Sequence, residues 1–322
     1  MRKFAGMKGT VISNTGSRYQ VLIDGEEGLV LTAAAKGNLR MKGIRTTNPV
    51  AVGDRVDVSP NPNSEIAYIT SIEPRRNYII RRASNLSKES HILAANIDQA
   101  LLICSLIKPQ TATTFIDRFL ATAEAYSIPA VLVINKVDLL HDDSDLQELL
   151  QAVSYLYQSI GYEVIHTSTK TGEGIDTLRR AVEGKTTLLS GNSGVGKSSI
   201  INALVPDATV TVAEVSEAHE TGMHTTTFSR MYDLPGGGRL IDTPGVRGFG
   251  TLDFDKYEVG HFFPEIFKAS QNCKFSNCLH TEGEPGCAVR EAVENSLISQ
   301  SRYASYLSIL ENDIAGNGSK YR

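Results

Sequence analysis

Gly191-Asn192-Ser193-Gly194-Val195-Gly196-Lys197-Ser198 has the residue types and spacing, GxxxxGKS, of a loop that cradles phosphate. Glycines let successive backbone N–H groups converge on phosphate oxygens where a side chain would block the approach. Lys197 supplies a positive charge for the β- and γ-phosphates, and Ser198 offers a hydroxyl to magnesium. The helix that Ser199 continues turns its positive end toward the anion. An apolar run, Thr187-Leu188-Leu189, precedes the loop, and a helix-like segment, Ser199–Leu204, follows it. A Gly/Ser-rich turn with a stray lysine would lack these flanks, so the segment implies binding of a nucleoside triphosphate.

Two further groups of residues narrow the nucleotide and its chemistry. Asn135-Lys136-Val137-Asp138 ends the apolar strand Val131–Ile134. The Asp138 carboxylate can accept the ring N–H and the exocyclic amino group of guanine, a donor pair that adenine lacks. Thr167-Ser168-Thr169-Lys170-Thr171-Gly172 ends another strand and can present a backbone N–H to the guanine oxygen. After the loop comes Asp242-Thr243-Pro244-Gly245, a DxxG in which Asp242 would hold a magnesium-bound water and the Gly245 N–H would sense the γ-phosphate. Between them, Met223-His224-Thr225-Thr226-Thr227 offers Thr225 or Thr226 as a further magnesium ligand, while Thr227 reads as ordinary strand propensity.

Cys273, Cys278, His280 and Cys287 fall within fifteen residues, which is enough to close a tetrahedral structural zinc site. The remaining cysteine, Cys104, lies in the apolar strand Leu101–Cys104 and reads as core. With four cysteines and no secretion signal, a disulfide framework is not expected.

The elements that position these groups follow from the apolar pattern. The chain has 322 residues, 41% apolar and 21% charged, an ordinary globular composition. No apolar run reaches the ~18–20 residues of a membrane span, and no apolar stretch follows the basic start, so a cytoplasmic protein without membrane attachment is expected. Net charge is −4, but residues 1–90 carry +6 and the remainder −10, an asymmetry that points to a polyanion partner. From Lys8 to Ile72, five short β segments separated by turn formers fit a small closed barrel of the OB type. The basic loop Lys36–Arg45 reads as a phosphate-backbone contact. Pro74-Arg75-Arg76-Asn77 reads as a linker followed by Arg81-Arg82. From Ala100 onward, apolar strands alternate with helices near Thr113–Tyr126, Asp145–Ile160 and Ile175–Glu183, which implies a parallel α/β sheet covered on both faces. Thr226–Leu234 and Gly238–Ile241 supply the last strands. Two amphipathic helices, Ala288–Ile298 and Ser299–Glu311, precede a tail from Gly316 that is expected to lack structure.

The order of the motifs is their most specific feature. The guanine-reading element and its partner loop precede the phosphate loop, and the DxxG element follows it. Ordinary small GTPases put the phosphate loop first. The barrel, NKVD at 135–138, GNSGVGKS at 191–198, MHTTT at 223–227, DTPG at 242–245 and the Cys/His cluster together resemble the ribosome small subunit-dependent GTPase A family of circularly permuted GTPases. The spacing from His280 to Cys287 is one residue longer than the family pattern, an insertion that Thr281–Gly286 can absorb. The resemblance implies an OB-fold RNA-binding domain at 1–73, a circularly permuted GTPase domain at 74–250 and a zinc-binding helical domain at 251–322.

It also implies a function. Many GTPases place a glutamine just after DxxG, whereas this chain has Val246, which can neither donate nor accept a hydrogen bond. The family assigns water orientation to a switch histidine, which maps onto His224. No arginine finger in cis is evident, so intrinsic hydrolysis is expected to be slow. The resemblance implies a monomeric GTPase that uses GTP with Mg2+ and one Zn2+. It would bind the small ribosomal subunit and its rRNA, support late subunit maturation and leave in the GDP form. A second reading is an RNA-binding assembly or occupancy factor in which GTP sets affinity and hydrolysis matters only for release. A metabolic GTP-dependent enzyme is a third, disfavoured by the lack of any second substrate signature.

Overall fold

The computed structural model describes residues 6–36, 39, 49–62, 64–82, 90–206, 208, 229–243 and 255–318. Strands β1 (Met7–Thr15), β2 (Arg18–Ile23), β3 (Val30–Ala35), β4 (Arg55–Asn61) and β5 (Ser64–Ile72) come first. They join in the order β1-β2-β3-β5-β4, and β4 pairs back onto β1, so the barrel closes. Only β3 and β5 run parallel. Alternation fills the interior with Val11, Tyr19, Val21, Ala33, Val56, Val58 and Ile69.

A two-stranded hairpin, β6 (Tyr78–Arg82) and β7 (Ser90–Ala95), follows the barrel. Beyond it lies a sheet of β8 (Gln99–Cys104), β9 (Ala130–Asn135), β10 (Glu163–Thr167), β11 (Thr186–Gly191), β12 (Arg230–Asp233) and β13 (Arg239–Asp242). Its order is β10-β9-β8-β11-β13-β12; all neighbours are parallel except β12, which runs antiparallel to β13. Every residue of β8 is buried. Ala100, Leu102 and Cys104 join the core on one face and Leu101 and Ile103 the core on the other, the two-sided burial a parallel sheet requires. Helices α1 (Thr113–Ala125) and α2 (Ser144–Ile160) pack on the first face, and α3 (Ile175–Val182) and α4 (Lys197–Leu204) on the second. The side chain of Asp143 caps α2 by accepting from the N–H groups of Asp145 and Leu146, and Gly161 ends it at φ 116°. Burial pushes the Cys104 thiol up to about 12, as suits a core cysteine.

Barrel and sheet share a strand ladder, and Arg239 of β13 donates to Thr10 of β1 at 3.3 Å. Ser13 of β1 pairs with Arg230 of β12, so one set of ladders runs through both. Arg75, read in the sequence as linker, instead grips the fully buried Asp54 with two hydrogen bonds of 2.6 Å and donates to the Pro49 carbonyl at 2.7 Å. The C-terminal part comprises a 3-10 turn (Val259–Phe262), α5 (Pro264–Ser270), α6 (Ala288–Glu294) and α7 (Gln300–Gly318). Helix α7 runs on through Gly318, into the segment expected to lack structure, because propagation is cheap once the packed turns are formed. Its Arg302 is fully buried. The guanidinium donates to Asp117 of α1 at 2.9 Å and to Glu265 of α5 at 2.6 and 3.1 Å, and lies 4.5 Å from the Phe263 ring centroid. Tyr157 of α2 donates to the same Asp117 oxygen at 2.8 Å.

Candidate functional site

At the C-terminal edge of the sheet, β11 ends in Gly191 and α4 begins at Lys197, with Asn192–Gly196 bridging them. The glycines here answer specific contacts. A Cβ on Gly191 (φ 155°) would sit 2.4 Å from the Ile103 carbonyl oxygen, and one on Gly196 (φ 98°) would sit 2.3 Å from the Asn135 amide nitrogen. Val195 is buried beneath the loop. Ser198 and Ser199 lie in the first turn of α4, which carries no acidic residue of its own to offset the positive end of the helix.

Lys197 places its ammonium 3.9 Å from Asp242 Oδ1 at the end of the neighbouring β13. Asp242 is 7% exposed, and this oxygen has no hydrogen-bond partner. Burial pushes its carboxyl above the ordinary carboxylate range, with the Lys197 charge and the Thr243 N–H pulling it partly back. A buried, under-satisfied carboxylate beside Lys197 of this loop fits a hydrated divalent cation.

The same loop is bonded to the NKVD segment. Asn135 Nδ2 donates to the Val195 carbonyl at 2.8 Å, and Asn135 Oδ1 accepts from Thr167 Oγ1 at 3.1 Å. Lys136, in the left-handed region at φ 67°, donates from Nζ to the Gly194 carbonyl at 2.5 Å and the Lys108 carbonyl at 2.6 Å. Asp138 sits in the 3-10 turn Val137–Leu139 that starts one residue later. Its Oδ1 accepts from Ser168 Oγ at 2.6 Å, and Lys170, whose side chain is 80% exposed, approaches Oδ2 at 3.9 Å. Ser168 also accepts from the Thr171 N–H at 3.2 Å, which fixes the loop carrying Thr169 and Lys170. Sequence reasoning missed the Lys108–Pro109 segment, whose carbonyl and ring brace the loop at Lys136 and Gly194, and it missed Thr167 as the partner of Asn135. The spacing of Lys108 from either motif carries no signal for this. His224, Thr225, Thr226 and Gly245, with Val246, lie outside the described residues.

The second centre is built from side chains. One ligand atom each from Cys273, Cys278, His280 and Cys287 lies within 4.8 Å of every other. His280 Nδ1 is 3.6 Å from Cys273 Sγ and 3.5 Å from Cys287 Sγ. Zinc with tetrahedral sulfur and nitrogen ligands requires an S···N separation of about 3.5 Å, so the gathered donors fit such an ion. Cys287 also accepts from the Arg290 N–H at the start of α6. From α7, the Tyr303 hydroxyl donates to the His280 carbonyl at 2.5 Å and the Tyr306 hydroxyl to the Leu279 carbonyl at 2.8 Å. Among the described residues no helix is long and apolar enough to cross a membrane.

Comparison with known proteins gives a concordant result. The RsgA GTPase family model matches residues 72–252, and the RsgA N-terminal domain model matches residues 8–69. A relative from Porphyromonas gingivalis, named small ribosomal subunit biogenesis GTPase RsgA, is 57% identical over 320 residues, spanning 98% of this chain and 99% of its own. A Bacteroides fragilis relative of the same name is 57% identical over 316 residues, with 98% and 99% covered. Among solved structures, YjeQ from Thermotoga maritima superposes with a TM-score of 0.74 at 31% identity, covering 96% of this chain and 99% of that one. YloQ, described as a circularly permuted GTPase, superposes with a TM-score of 0.72 at 29% identity over 98% and 97%. With a GxxxxGKS loop that NKVD precedes in the chain, a closed N-terminal barrel and a C-terminal Cys3His cluster, the chain belongs to the RsgA family of circularly permuted GTP hydrolases.

Proposed function

We propose that this protein binds GTP with Mg2+, docks on the small ribosomal subunit, and couples hydrolysis to late maturation of that subunit and to its own release as the GDP form. The observation that carries the reading is the pair of bonds from Asn135 and Lys136 to the Val195 and Gly194 carbonyls. They fix a carboxylate suited to guanine, Asp138, relative to a loop suited to phosphate. Gly191–Ser199 take the phosphates. Asp138, Ser168, Thr169 and Lys170 take the base, with Asn135 and Lys136 bracing the two. Magnesium would supply neutralisation of phosphate charge, and Ser198, Asp242 through a water, and Thr225 or Thr226 would hold it. Gly245 would report the γ-phosphate. His224 orients the attacking water in place of the glutamine that Val246 replaces.

The partner reading draws on the name the relatives carry, small ribosomal subunit biogenesis GTPase, on the closed barrel, and on the basic stretch Lys36–Arg45, which apart from Lys36 and Leu39 lies outside the described residues. Cys273, Cys278, His280 and Cys287 would hold one structural Zn2+. The division at 1–73, 74–250 and 251–322, a monomeric state, rRNA as the surface met and a cytoplasmic site of action belong to the same reading. The test is GTP hydrolysis with and without purified small subunits, with ATP in parallel. Strong stimulation for GTP alone is expected, and equal turnover of both nucleotides or no response to subunits would refute it. Full subunit-stimulated turnover by His224→Ala would remove that residue from the mechanism.

A further inference from the structure

Next to the metal cluster is a cavity of about 390 Å³, within the ~300–1,000 Å³ range of small-ligand sites. Cys273, Cys278 and His280 form part of its wall. Most of its chemistry comes from Lys256, Tyr257, His261, Gln271, Lys274 and Phe275. No Asp or Glu lines it, although residues 255–318 hold nine carboxylates against five Lys and Arg. Positive charge is thus concentrated here on an acidic body. Tyr257 is 51% and Phe275 44% exposed. Each has a lysine ammonium by its ring, Lys256 at 4.8 Å and Lys274 at 5.4 Å from the centroids. Two exposed rings each paired with a cation, around a polar hollow free of carboxylates, match what an unstacked nucleotide requires. The ring serves the base face, the ammonium the phosphate, and Gln271 the base edge. An acidic peptide would meet the lysines but leave the rings without a stacking partner.

We propose that this cavity takes one unpaired RNA nucleotide, its base against Tyr257 or Phe275 and its phosphate beside Lys256 and Lys274. The proposal rests on the ribosomal reading and deepens it. The C-terminal part would recognise an extruded nucleotide, and duplex shape would not be its target.

The test uses the full-length, metal-loaded protein and a single-stranded 12-nucleotide RNA containing 4-thiouridine. The same sequence as a perfect duplex and a polyglutamate peptide serve as comparison probes. Single-strand binding is expected, with photocrosslinks falling within residues 256–276. Tyr257→Ala and Phe275→Ala should each weaken it about 5- to 100-fold, the range of base–aromatic stacking. Tyr257→Phe should keep affinity, because the ring remains. Lys256→Ala or Lys274→Ala should reduce the slope of log affinity against log salt by about 0.7. Metal content and subunit-independent hydrolysis should be unchanged. Crosslinks confined to the barrel would overturn the proposal, as would duplex binding equal to single-strand binding, or competition by polyglutamate at unchanged ring-variant affinity. Subunit-stimulated hydrolysis that persists alongside any of these would leave the GTPase function standing and remove only the cavity.

Discussion

In the GNSGVGKS loop, Gly191, Gly194 and Gly196 take left-handed φ and leave the main chain without side-chain cover, as a backbone cradle for an anion would need. The nearby Asp242 carboxylate is buried with one oxygen lacking a hydrogen bond. At the Cys/His cluster the opposite construction holds. Four side-chain donors are already gathered within 4.8 Å, and Tyr303 and Tyr306 tie down the backbone that carries His280 and Leu279. A backbone cradle with unmet polar atoms suits a ligand that comes and goes, because the protein itself does not fill the site. A closed set of side-chain donors suits an ion that stays and takes part in folding.

The largest effect should come from breaking the second construction. Cys287→Ser removes a thiolate donor while a serine hydroxyl can still cap α6, and metal-linked folding free energy on the order of 10 kcal/mol is at stake. Loss of metal stoichiometry and of hydrogen-exchange protection over α5–α7 is expected, with nucleotide affinity changed less than about tenfold. Parallel collapse of nucleotide binding would erase the contrast between the two sites.

Next comes Arg302→Met, which tests the joint between the two regions. It leaves Asp117 and Glu265 facing each other's neighbourhood with no guanidinium between them. A loss of about 3–5 kcal/mol in urea unfolding is expected, because a buried carboxylate is left without its partner. An unchanged midpoint would mean that this ion cluster does not join the two parts.

Gly196→Ala acts on the cradle alone. The added Cβ meets the Asn135 amide in a left-handed conformation, a strain of about 1–3 kcal/mol that should appear as about 10- to 100-fold weaker GTP binding. Metal content should stay the same.

The smallest effect concerns pH. Burial raises the Asp242 carboxyl above its unfolded value, so the charged form costs stability at pH above the raised value. That cost disappears as pH falls from the raised value into the ordinary carboxylate range. Thermal melts of the nucleotide-free protein should show Asp242→Asn at least as stable as the parent near neutral pH, with the difference closing on acidification. A variant less stable at neutral pH would reverse the sign assigned here.

What the sequence made legible was what lies close together along it. GxxxxGKS holds its chemistry in eight residues, NKVD in four and the Cys/His cluster in fifteen. The apolar runs of β8, β9 and β11 show directly as buried parallel strands. The groups that went unread have partners far away. Arg75 lies in a stretch that reads as a basic linker, yet its carboxylate partner is 21 residues back, just ahead of β4. Arg302 looks like one polar position on an amphipathic helix, and its partner Asp117 lies 185 residues away. Hairpin β6–β7 was missed because Arg75-Arg76 and Arg81-Arg82 bracket its first strand with charge, which reads locally as solvated coil.

The strand order carries one more consequence. Strand β11, which delivers the phosphate loop, has β8 on one side and β13 on the other. The chain arrives from the barrel through β8 and departs toward the C-terminal helices from β13. The covalent connections to the barrel and to the C-terminal helices therefore enter at the two immediate flanks of a single strand, while the barrel also joins the sheet beyond β13 through β1 and β12. Along either connection, a single ladder of hydrogen bonds separates the appended part from the strand that ends in Gly191.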